Sequence, residues 1–102
     1  MKLLSTDRRV LRGPDALWVY RVLTQVDPAV HGSKLAHVLV AVSGSPRVRE
    51  LPAVRRALLE EAVAVARALD AADPFRAKVL ARALEALEAL EALEALEALG
   101  AA

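Results

Sequence analysis

The sequence has no cysteine, isoleucine or asparagine, and among its 102 residues there is one each of Phe, Trp and Tyr. The lack of cysteine excludes disulfides and thiolate metal sites. The apolar share of 56% is mostly Ala, Leu and Val, so each buried residue removes little area from water. A chain this short also keeps a high surface-to-volume ratio. Some apolar surface is therefore expected to stay uncovered in one copy, which points to a partner. Long apolar runs are missing as well. The longest stretch without Asp, Glu, Lys or Arg is "LAHVLVAVSGSP", Leu35–Pro46, too short to span a bilayer as a helix. The opening "MKLLSTDRR" has too few apolar residues for a signal-peptide centre. The expectation is a soluble, cytoplasmic protein with no membrane partner.

Basic residues are absent from one end. Residues 83–102 hold five Glu and no Lys or Arg, a balance of −5, whereas residues 1–82 hold all 14 Lys and Arg against 8 Asp and Glu, a balance of +6. The overall charge of +1 conceals this polarity. A basic body and an acidic end attract each other, within a chain or between copies.

What is present is clear punctuation. Pro14, Pro28, Pro46, Pro52 and Pro74 divide the chain, and Asp27, Ser45 and Asp73 each precede a proline as candidate caps. Gly13, Gly44 and Gly100 sit where left-handed residues close helices. Between these marks, Ala16, Val19, Leu23 and Val26 follow helical steps of three and four, as do Leu35, Val38, Leu39 and Val42. The clearest stripe is Val54, Leu58, Ala62, Val65 and Leu69. Helices are predicted at 6–12, 14–26, 33–43, 52–71 and 74–99, with a single turn at 46–50 and Ser33 as a cap. The helix at 52–71 is expected to be central. "LWVYRVLTQV" and "HVLVAV" also have strand-like composition, but the caps and spacing favour helix. Short loops favour antiparallel neighbours. The predicted fold is all-α: one domain over 1–102, an antiparallel bundle of four to five helices, a poorly defined lead-in at 1–13 and a long C-terminal helix.

That last helix contains "EALEALEALEALEAL", Glu85–Leu99. Three residues advance about 300° around an α-helix, so each successive leucine falls back about 60°. Leu80, Leu84 and Leu87 can share a core face. Leu90, Leu93, Leu96 and Leu99 then move off it, while Glu91 and Glu94 rotate on. Leu87, Leu90, Leu93, Leu96 and Leu99 are the candidate interface between copies. The acids lie at the helix's negative end, where they are unfavourable. Arg47, Arg49, Arg55 and Arg56 are the candidate bases to meet Glu91 and Glu94, from the same chain or another.

No catalytic pattern emerges. His31 and His37 are the sole histidines; on one helix they point about 120° apart, poor for shared metal ligation, and surface or boundary positions explain them. "SGS", Ser43–Ser45, lacks the frame of a nucleophile elbow. "HGSK", His31–Lys34, lacks the glycines of a phosphate loop. Arg8, Arg9 and Arg12 form a second basic cluster, but no aromatics interleave with the arginines for base stacking. Nucleic acid, metal, cofactor and small-molecule ligands are not expected. Trp18 and Tyr20 cannot both face one core, and packing is the default for each; Trp18 could alternatively anchor a partner.

The absence of Cys, Ile and Asn, the regular capping and the repeated word, most evident over residues 44–100, resemble a computationally designed helical protein. Scarce lysine and the stretch "HGSKLAHVLVAVSGS" depart from that style, and coding bias toward G and C yields a similar composition. The resemblance implies a purpose in shape, a designed homo-oligomer, and supplies no site. The function expected is a non-catalytic, self-assembling scaffold built through apolar helix surfaces. The alternative is a binding module offering a helical groove or apolar pocket to another molecule.

Overall fold

A computed structural model describes residues 13–101 of the chain. They form α1 (Gly13–Val26), α2 (Pro28–Ser43), a single turn α3 (Pro46–Arg49), α4 (Pro52–Ala68) and α5 (Arg76–Ala101). The predicted all-α bundle with a long last helix is what the chain forms; a helix at 6–12 lies outside the described residues. Among the described residues no helix is long and apolar enough to cross a membrane.

The centre is α2, not the helix beginning at Pro52. α2 packs on α1, α3, α4 and α5, whereas α4 packs on α2, α3 and α5. Its composition explains this. Lys34 is its one formally charged residue, and Leu35, Ala36, Val38, Leu39 and Ser43 are all buried. The Ser43 hydroxyl satisfies itself by donating to the Val40 carbonyl at 2.6 Å, the local bond that lets serine enter a helix interior.

α2 also begins at Pro28, five residues before the predicted start, and absorbs Gly32 and Ser33. Ser33 is therefore no cap. A mid-helix glycine costs about 1 kcal/mol against alanine, and packing gives the reason for it here. A Cβ on Gly32 would lie 2.7 Å from Leu69 Cδ2. The bare glycine lets the end of α4 close against α2, where Leu69 joins Ala36, Ala66 and Val79 in a second small core.

The helix ends differ from the predicted caps. Asp27 and Ser45 precede Pro28 and Pro46 as expected, but neither side chain makes a capping hydrogen bond. Gly44 closes α2 in the right-handed region, and Gly100 lies inside α5. Proline's preset φ at the first turn suffices to start these helices. Asp73 does act locally: its Oδ1 accepts the Phe75 N–H at 2.8 Å. α4 stops at Ala68, short of residue 71, where Leu69 turns extended (φ −66°, ψ 148°), and Arg76 turns back on its end. The Arg76 guanidinium donates to the carbonyls of Leu69 at 3.1 Å and Arg67 at 3.3 Å, filling acceptors that a helix end leaves unpaired.

The main core joins Ala16, Leu17 and Tyr20 of α1 to Leu35, Val38 and Leu39 of α2 and to Leu58, Ala62 and Val63 of α4, with Ala83 from α5. Arg21 and Glu61 tie α1 to α4 at the rim, with Nε donating to Oε2 at 2.9 Å. That hydrogen bond raises the Arg21 pKa above its usual value. A raised arginine pKa gives a contribution that is lost on the alkaline side only as pH rises through the arginine range, far above neutrality.

Candidate functional site

α5 is 26 residues long, about 39 Å, and the molecule measures 56 × 29 × 19 Å. One side of the helix meets the body through Val79, Ala83, Leu87 and Leu90, steps of four, four and three. Leu90 is 2% exposed and Leu87 packs against the core. Leu90 is thus covered within the single chain and Leu87 partly so. The face is set one position earlier than the trio Leu80, Leu84 and Leu87 suggests, because Val79 and Ala83 are its buried members.

Beyond Leu90 the geometry of the repeat takes over. Leu93, Leu96 and Leu99 lie about 60°, 120° and 180° around the helix from Leu90. Their exposures are 45%, 66% and 75%. The monotonic rise is what a fixed rotation per repeat produces. The described chain covers about half of Leu93 and little of Leu99.

The acidic side chains follow the same rotation. Glu94 comes round to α4, where Arg56 Nη2 donates to Glu94 Oε1 at 2.9 Å, and Glu91 lies 4.0 Å from Arg56 Nη1. The hydrogen bond to Glu94 raises the Arg56 pKa, with the nearby charges of Glu94 and Glu91 adding to it. Of the four candidate arginines this is the one that meets the acids within the chain. Arg47 and Arg49 sit exposed on α3. Arg55 faces elsewhere, its buried Nε without a hydrogen-bond partner among the described residues. Arg56→Gln should leave Glu91 and Glu94 unopposed at the helix's negative end. Hydrogen exchange of the amides after Leu90 should then quicken, while protection in α2 stays unchanged.

A second feature was not visible in the chain order. Ser33, Lys34 and His37 on α2 meet Phe75, Lys78 and Arg82 at the start of α5 around an open cleft of about 290 Å³. The cleft has basic side chains and no acid in its lining, and Phe75 stands exposed beside it. Lys34 and Lys78 are far apart in sequence, so only the Lys78–Arg82 spacing could have hinted at it. His37 is exposed here and His31 is half-buried with Nδ1 unpartnered. Among the described residues no group of three or more His, Cys, Asp or Glu could hold a metal.

Two further surfaces are apolar. Trp18, Val22 and Val26 form an exposed line on α1, with Trp18 69% exposed while Tyr20 takes the core position. Packing is thus not the role of Trp18. An open groove of about 580 Å³ lies between α1, α2 and α4, lined by Thr24, Ala29, Gly32, Val65 and Leu69, with Asp70 and Asp73 at one end. No family model, curated protein or solved structure matches this chain.

Proposed function

We propose that the protein is a non-catalytic, self-associating structural module whose copies join through the outer face of α5. One observation carries the reading: Leu93, Leu96 and Leu99 turn progressively outward on a helix whose other side is already committed to the body. Isolated exposed leucines are ordinary, but three on adjoining helical positions form a contiguous apolar surface of the kind that marks association. The small, alanine-rich core leaves this surface unburied within one chain. The regular helix starts and the repeated word, which resemble designed helical proteins, fit a purpose in shape.

Association couples to stability. Whatever joins folded copies and not unfolded ones raises the melting temperature with concentration. The melting temperature, followed by circular dichroism, should climb as the protein concentration rises from micromolar to hundreds of micromolar. A constant value would count against this reading.

The groove lined by Thr24, Gly32, Val65 and Leu69 favours a second reading, a module that binds an apolar segment of another molecule. A monodisperse single chain at all those concentrations would favour it over self-association.

A further inference from the structure

We infer that two copies pair antiparallel along α5, with the basic start of one helix against the leucine-rich, acidic end of the other. This rests on the self-association proposed above and specifies its geometry. Beginning at Phe75 and ending at Leu99, alternating steps of three and four residues trace a line of exposed positions over about 36 Å of helix. Such steps define a seam along which helices pack side by side. Lys78 and Arg82 occupy its first part, Ala89 and Ala92 its middle, Leu96 and Leu99 its end. The seam points away from the body: Lys78 is about 140° around the helix from buried Ala83, and Leu96 about 180° from Leu87. A second copy following the seam meets, besides α5, the cleft that α2 forms with the start of that helix.

Charge selects the direction. α5 carries no acid in its first turn and no base in its last, so both ends oppose the helix macrodipole. A parallel pair would set Lys78 and Arg82 against their own equivalents, and glutamate against glutamate. The antiparallel pair removes both of these like-charge contacts. Phe75 then lies beside Leu99 of the second copy, Lys78 beside Leu96 and Arg82 beside Ala92. The small side chains Ala89 and Ala92 let the helices approach closely at the middle. Glu97 of the second copy, beside the seam rather than on it, comes level with Lys78. Glu85 faces Ala89 of the second copy rather than its own equivalent. The arrangement is self-complementary, as a two-fold interface requires.

The test is a charge exchange read by solution mass. Lys78→Glu with Arg82→Glu makes one variant; Glu97→Lys makes the other. Each alone should be a single chain, since each sets like charges together. Mixed in equal amounts they should recover the dimer, because the mixed pair restores attraction at both ends. In parallel, Phe75→Cys mixed with Leu99→Cys should cross-link on mild oxidation, and neither should cross-link to itself. Circular dichroism checks that each variant is folded. If the unmodified chain associates but both charge variants remain dimers, or if Leu99→Cys links to itself, the antiparallel pairing is wrong while self-association stands. If the unmodified chain is a single chain at every concentration, the self-association reading itself fails, and the pairing with it.

Discussion

Leu39→Ala should destabilise the protein by about 2–5 kcal/mol, toward the upper end of what large-to-small core changes produce. Leu39 is completely buried in the central helix. Around it the core includes Ala16, Ala62 and Ala83, each with no exposed surface. Alanines have no side-chain freedom with which to fill a gap, so the cavity should persist rather than collapse. The loss is large beside the roughly 5–15 kcal/mol that folded domains possess. At about 4–8 °C per kcal/mol for a domain near this size, the melting temperature should fall by at least about 8 °C. Denaturant titration with an unchanged slope measures it. A loss below about 1 kcal/mol would mean that the packing around α2 is looser than described.

Replacing Leu93, Leu96 and Leu99 together by Gln should have the opposite profile: little effect on the single chain and a large one on assembly. Gln is nearly as good a helix former as Leu, and these side chains touch little in their own chain. Exposed substitutions of this kind usually change stability within about 0.5 kcal/mol each. Burying a leucine contributes about 1.5–3 kcal/mol, and each 1.4 kcal/mol is tenfold in affinity. Binding also has ordering costs that area does not record, so the expected weakening is on the order of a hundredfold or more. Light scattering should report a single chain for the triple variant, with far-UV circular dichroism unchanged. An unaltered assembly would move the interface elsewhere, the exposed line of Trp18, Val22 and Val26 being the next surface to examine.

The two outcomes separate what the sequence could and could not show. Helix spacing and proline punctuation suffice for the number of elements and for most of α4, because Leu58, Ala62 and Leu69 report a single buried face. The start of α2 was not legible. Gly32 and Ser33 look like a break, and only the approach of Leu69, more than thirty residues away, explains a glycine inside the helix. For the same reason α2's central place is a matter of neighbours, not of its own letters.

The repeat presents a different difficulty. Its 60° rotation per leucine was calculable, and the exposures of Leu93, Leu96 and Leu99 follow it. Its starting angle was not, since every three-residue slip reads alike. Val79 and Ala83 set that angle by packing on the body, which places Leu90 inside and brings Glu94 to Arg56. The basic cleft joins Lys34 to Lys78 and Arg82 through folding alone.

Sedimentation equilibrium of the unmodified chain at micromolar concentration tests most directly whether α5's outer face is covered by another copy. The expected mass is that of two chains, twice the 10.9 kDa of one. A single species of 10.9 kDa across the whole concentration range, with Leu96 and Leu99 left in water, contradicts it.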